Sequence, residues 1–194
     1  MPHVSSDHKV RTMSKYPRDE FDTDPSINTL GPPARSFDRH IKKLNVFMNM
    51  CREISTLSHD PKYKVAALVI TPDYREVCAI GYNGDYAGGP NERENLEHGR
   101  SNFIHAEENV LVHLCKPFEL RHNLVLFCTH KPCTMCAKKL VNAGLKTVLY
   151  DQDYVDAIGQ TNDIFRRAGV FSMKLDDLLS SRVFLSNYID SHHM

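Results

Sequence analysis

The strongest constraint on the fold lies in the second half of the chain, where strand-length apolar runs alternate with helical segments that stop at glycine. From residue 123 the order reads strand (123–129), helix (133–143), strand (146–150), helix (157–168) and a short strand near 170–174. Gly144 and Gly169 fall where a left-handed residue is wanted to close a helix. Strands joined by single helices pair in parallel through right-handed crossovers, with helices covering both faces of the sheet. The pattern therefore predicts an α/β chain, a three-layer α/β/α sandwich.

The first half adds an antiparallel edge to that sheet. Ile41, Leu44, Met48, Cys51 and Ile54 recur at helical spacing, which predicts an amphipathic helix over 38–57. "KVAALVI" (64–70) is a buried-strand run, "TPDYRE" a turn and "VCAIGY" (77–82) a second strand, together a hairpin. This makes a mixed five-stranded sheet. A Gly/Asn/Glu-rich connection then runs from Asn83 to about Asn102, a length usually reserved for function. A helix over 105–116 follows it, and "LDDLLSSRVFLSNYI" predicts one last helix at the C-terminal end. Residues 1–36 hold five of the ten prolines and few large apolar side chains. They are expected to form a flexible or partner-docked arm preceding a single domain over 37–194.

Charge narrows the partners. Lys plus Arg equals Asp plus Glu at 24 each, so no global positive field is available to hold a nucleic-acid polymer. No apolar run approaches membrane length, and "MPHVSSDHKV" has no apolar core of a secretory signal. Six cysteines without such a signal predict a reducing, cytoplasmic setting with free or metal-bound thiols.

Two short motifs carry the chemistry. "THKPCTMCAKKL" (129–140) places Cys133 and Cys136 at a helix start after a strand, where exposed N–H groups and the helix dipole favour thiolates. Alone, this pair fits a redox couple, half of a structural zinc site or part of a catalytic one. "FIHAEENVLVH" (103–113) opens another helix after a loop, so the two helix starts lie side by side at one sheet edge. One imidazole, His105, and two thiolates make three protein ligands for Zn2+. Three ligands leave the fourth tetrahedral position for water, the mark of a catalytic rather than a closed structural zinc. Zinc brings the pKa of such water towards roughly 7, and Glu107 is placed to carry protons. The competing reading is a zinc that only holds the fold together.

His105-Ala106-Glu107 with Pro132-Cys133-Thr134-Met135-Cys136 is the H-x-E…P-C-x-x-C pattern of zinc-dependent nucleobase deaminases. Within that superfamily residues 40–175 most resemble the deoxycytidylate (dCMP) deaminases, through "SHDPKYKVAALVI", "AIGYNG" (79–84), "NAGLKTVLY", "DQDYVD" and "FRRAGV". The loop "DYAGGPNERENLEHGRSN" departs from the family, as does Phe103-Ile104, where a cysteine is common. The resemblance implies a cytidine deaminase-like fold and one Zn2+ held by His105, Cys133 and Cys136. It implies proton transfer by Glu107 and a donor to the base carbonyl at Ala106. Asn83 is implied at the sugar or base, Ser58, Lys62 and Lys64 at the 5′-phosphate, and Tyr154 at the closing wall of the pocket. It further implies a homo-oligomer, a hexamer or a dimer, with dCTP/dTTP allosteric regulation.

Each assignment has a plainer competitor. Asn83-Gly84 is also a turn signal, Lys62 and Lys64 are also solvated strand-start charges, and Tyr154 is also a packing residue. A second zinc at His113 and Cys115 would need ligands from Cys51 or Cys78, against the expectation that both are buried helix residues. Cys128 is expected in the core. The expected activity is conversion of dCMP to dUMP. Deamination of another nucleotide, or of a base in nucleic acid, and a non-catalytic zinc-stabilised binding module are the alternatives.

Overall fold

A computed structural model describes residues 34–95, 101–154 and 158–192. The expected N-terminal arm falls outside these residues, apart from the start of the first helix, as do residues 96–100 of the long loop. The elements are α1 (Ala34–Ser55), β1 (Ala66–Ile70), β2 (Val77–Tyr82), α2 (Ala106–His113), β3 (Val125–His130), α3 (Thr134–Asn142), β4 (Thr147–Gln152), α4 (Ile158–Arg167), β5 (Phe171–Lys174), α5 (Leu175–Ser180) and α6 (Arg182–His192). A 3₁₀ turn, Phe118–Asn123, precedes β3.

The sheet order is β2-β1-β3-β4-β5. β1 is antiparallel to both β2 and β3, while β3, β4 and β5 run parallel. The expected mixed five-stranded sheet is the one observed.

Period-two alternation along β1 divides the core into two layers. Ala66, Leu68 and Ile70 face Leu44, Met48, Cys51 and Ile54 of α1, with Leu178, Leu185 and Tyr188 of the C-terminal helices. Ala67 and Val69 face the other way, among Ala106 and Val110 of α2, Ala137 and Leu140 of α3, and Phe165 of α4. The long apolar stripe of α1 thus covers one face, and three shorter helices cover the face whose carboxyl edge carries the motifs. Burying each large side chain of this kind contributes roughly 1.5–3 kcal/mol.

Three expectations are corrected. α2 stops at His113, with Leu114 extended, because Lys116 precedes Pro117, which disfavours helical geometry before it. His113 and Cys115 are therefore exposed rather than buried, whereas Cys128 is fully buried as expected. The C-terminal segment is two helices, split where the Ser181 hydroxyl accepts the Phe184 N–H at 3.3 Å and starts α6 afresh.

One contact sets where α2 sits. A Cβ on Gly81 of β2 would lie 2.5 Å from the Ala106 carbonyl oxygen and closer still to the Val110 backbone nitrogen. Only glycine lets the helix backbone lie directly on the strand. Asn109 Nδ2 donates to the Tyr82 carbonyl at 2.8 Å and fastens the same pair.

Candidate active site

The two motifs meet as the topology demands. His105 caps α2 with extended backbone (φ −73, ψ 154), and Cys133 does the same for α3 (φ −68, ψ 168). Thr161 of α4, fully buried, donates its hydroxyl to the Pro132 carbonyl at 3.2 Å and holds the turn before Cys133. Glu108 accepts the His105 N–H at 2.9 Å and forms an ion pair with Lys139 of α3, clamping one helix start to the other. Glu108 is thus the structural member of the glutamate pair.

His105 Nδ1 lies 3.6 Å from Cys133 Sγ and 3.4 Å from Cys136 Sγ, and the three donor atoms all fall within 4.8 Å of one another. Two ligands on one tetrahedral zinc, with Zn–S about 2.3 Å and Zn–N about 2.05 Å, would stand roughly 3.6 Å apart. The donor set and its spacing therefore fit zinc. The Cys136 N–H reaches Cys133 Sγ at 3.4 Å, a bond that favours a thiolate there.

Electrostatics agree with that division. Hydrogen bonding from Cys136 and His105 brings the Cys133 thiol down to about 4, against the cost of burial. Cys136 is pushed up, first by its bond to the Cys133 sulfur and then by burial. The Cys133 bond raises His105. Among the described residues no other group of His, Cys, Asp or Glu forms a comparable cluster. Cys51 faces the opposite layer, donates to the Ala66 carbonyl at 3.4 Å and is pushed up to about 12 by burial.

Glu107 follows directly, 5% exposed, its carboxyl raised by burial with His105 opposing. Ala106, fully buried, occupies the first turn of α2, where a backbone N–H has no intrahelical acceptor. Both line a pocket with His105 and Cys133, walled by Asp60, Tyr63, Val65, Asn83, Arg93, Ser101, Phe103, His130, Lys131 and Tyr154.

Residues 41–152 match the family described as the cytidine and deoxycytidylate deaminase zinc-binding region. The chain belongs to that family. ComE operon protein 2 of Bacillus subtilis is 29% identical over 139 residues, 69% of this chain and 72% of that one. The deoxycytidylate deaminase of Schizosaccharomyces pombe is 28% identical over 136 residues, 64% of this chain but 41% of that longer protein. Among solved structures, the dCMP deaminase of cyanophage S-TIM5 in complex with dCMP and dUMP superposes with a TM-score of 0.58 and 33% identity. That superposition spans 67% of this chain and 94% of the phage chain.

Within this deaminase pocket the expected substrate contacts separate. Asn83 is on the wall, but its side chain already serves the protein. Oδ1 accepts the Val65 N–H at 2.8 Å, and Nδ2 donates to the Tyr63 carbonyl at 2.8 Å and to Asp60 at 3.3 Å. One Oδ1 lone pair remains for a ligand. Tyr154 also lines the pocket.

Ser58, Lys62 and Lys64 do not. Ser58 is buried, its hydroxyl donating to the Asn83 carbonyl at 2.8 Å and accepting from the Asp60 N–H at 3.2 Å. Lys62 and Lys64 are exposed, one over the Tyr63 ring and the other on the Thr56 carbonyl. The turn Asp60-Pro61, with Asp60 Oδ1 accepting the Lys62 N–H at 2.8 Å, carries them away from the cavity.

The basic side chains that do reach the pocket went unread in the sequence. Arg93 comes from the long loop and pairs with Asp60 at 2.6 Å, both side chains almost fully buried. His130, lowered by burial, and Lys131 sit at the carboxyl end of β3. Burial also lowers Lys131, with Asp153 opposing. Their position two and three residues before Cys133, at a strand end facing the site, was the available signal.

Proposed function

We propose that the chain is a zinc-dependent hydrolase that converts a cytosine nucleotide, dCMP, to the uracil nucleotide dUMP with release of ammonia. The observation that carries this reading is the ligand triad at zinc spacing with a buried, non-ligating carboxylate beside it. A purely structural zinc has no use for Glu107.

His105, Cys133 and Cys136 would hold the ion, which when bound supplies Lewis acidity to water. The Ala106 N–H, fixed at the helix start, donates to the base carbonyl and orients the ring. Glu107 takes a proton from the attacking water and hands it to ring N3, then takes the remaining proton from the new C4 hydroxyl and delivers it to the departing amine. A C4–O bond forms, the C4–N bond breaks, and water is consumed as ammonia leaves. Burial suits Glu107 to this role because it brings the carboxyl towards the pKa of a group that must both gain and lose a proton. The last lone pair of Asn83 accepts a sugar hydroxyl, and Tyr154 closes the wall.

A homo-oligomer fits the same reading. Val112 (79% exposed), Phe118 (58%), Leu120 (53%) and Met135 (58%) are large apolar side chains left uncovered near α2 and α3. Regulation by dCTP and dTTP and a cytoplasmic setting belong to the proposal as well. No described helix is long and apolar enough to cross a membrane.

Ammonia release from dCMP, CMP, dCTP, deoxycytidine, deoxyadenylate and short single-stranded DNA tests this directly, with and without added dCTP and dTTP. Preferred turnover of dCMP is expected. Turnover confined to single strands, or to no substrate, would overturn it.

A further inference from the structure

The pocket wall carries two carboxylates, Asp60 and Glu107, and two constitutive cations, Arg93 and Lys131, and of these only Arg93 and Asp60 are joined in an ion pair among the described residues. Arg93 is neutralised by Asp60 at 2.6 Å. His130 Nδ1 is hydrogen-bonded to the Thr129 hydroxyl at 3.3 Å. Lys131 differs from both. It is 4% exposed and lines the cavity, yet among the described residues its ammonium has no hydrogen bond and no ion pair, only the Tyr150 ring with its centroid at 5.1 Å. Asp153, whose charge also reaches it, is paired with Lys174 at 3.9 Å.

An ammonium drawn away from water without a carboxylate of its own is costly. The Lys131 backbone is nonetheless held firmly in place. Its N–H donates to the Gln152 carbonyl at 2.8 Å, continuing the β3–β4 ladder, and the next carbonyl, of Pro132, is tied to Thr161. The carboxyl ends of parallel strands are where such sheets bind ligands. A lysine anchored through its backbone at that crevice, with its ammonium donors uncommitted, is complementary to an anionic group on the ligand.

We propose that Lys131 is the specificity-determining cation of this site, taking the 5′-phosphate of the substrate and so favouring a nucleotide over the free nucleoside. This inference rests on the deaminase reading and replaces the exposed Lys62 and Lys64 as the source of phosphate recognition. Lysine suits the role as a point charge that needs no fixed bidentate geometry.

The test compares dCMP with deoxycytidine in the zinc-loaded enzyme and in Lys131→Gln and Lys131→Met, methionine retaining an unbranched apolar stem over Tyr150. The ratio of kcat/KM for dCMP to that for deoxycytidine is expected to fall roughly 10- to 100-fold in both variants, the worth of one charge-assisted hydrogen bond. The loss should appear mainly in KM, and Lys131→Arg should recover most of it. A ratio within about twofold of the wild type in either folded variant overturns the proposal.

Calorimetric binding of dUMP against deoxyuridine separates this inference from the reading beneath it, since neither product needs turnover. A wild type that deaminates nothing yet binds dUMP through Lys131 refutes the activity and keeps the phosphate site. Active enzyme whose dUMP preference survives Lys131→Gln refutes the site alone.

Discussion

Gly81→Ala tests the link between the sheet and the reacting groups, because it adds one methyl at a distance from every substrate atom. The new Cβ would stand 2.5 Å from the Ala106 oxygen and nearer still to the Val110 nitrogen, both backbone atoms that cannot rotate aside. Reaching an ordinary contact requires α2 to lift off β2 by about 1 Å. Overpacking of this kind costs about 1–3 kcal/mol, which at this chain length lowers Tm by roughly 3–10 °C. Activity should suffer more than stability. The displaced turn carries His105, Ala106 and Glu107 together, while Cys133 and Cys136 stay on α3. A 1 Å misplacement costs on the order of 100-fold in rate. Thermal unfolding, zinc content and kcat/KM on dCMP, measured on one preparation, decide the matter. A folded Gly81→Ala enzyme with unchanged Tm and full activity would refute the claim that this contact positions the site.

Glu107→Gln should retain zinc and melt within about 1 kcal/mol of the wild type, since burial already disfavours the charged carboxylate, while kcat falls by roughly 10²–10⁴; substantial turnover would remove Glu107 from proton transfer. Cys133→Ser, or exhaustive chelation of the wild type, should abolish activity and lower Tm, because the two helix starts lose a common tie; metal analysis showing full occupancy in the variant would mean the ligand set is wrong. Arg93→Met strands Asp60, only 2% exposed, without its partner and should cost about 3–5 kcal/mol in chemical denaturation, with Asp60→Asn in the same background restoring part of it. Additive losses in that double variant would show that the pair is not coupled.

The sandwich was readable because its evidence is repetitive. The β3 to β5 half announces each strand with an apolar run and each helix end with Gly144 or Gly169, whose φ values of 88° and 63° are the left-handed ones expected. The zinc triad was readable for a different reason: ligand chemistry restricts residue type, so His105, Cys133 and Cys136 at helix starts leave few other uses. Phosphate recognition was not readable in the same way. Lys62, Lys64 and Lys131 are chemically identical in the sequence, and what separates them is burial, which only the folded strand end at β3 confers. Arg93 was hidden for a related reason. Its function depends on meeting Asp60 across 33 positions, and no local periodicity records such a pairing. The shortness of α2 was legible in Pro117 and was outweighed by the apolar pattern leading up to it.

The anchoring of Asn83 bears on how this protein ages. An asparagine followed by glycine is the dipeptide most prone to losing its side-chain amide, because the unhindered glycine nitrogen attacks the asparagine Cγ and closes a succinimide. Here the attacking nitrogen, that of Gly84, donates to the Ile104 carbonyl at 3.2 Å, and the amide it would attack is held by Val65, Tyr63 and Asp60. Neither partner can swing into line while β2, the first strand's lead-in and the loop neck remain in place. The folded state therefore protects a bond that the unfolded chain would lose. Once hydrolysed to aspartate, that position would set a second carboxylate against Asp60 and against the Tyr63 carbonyl, so that molecules damaged while unfolded would be poor at returning to the native state.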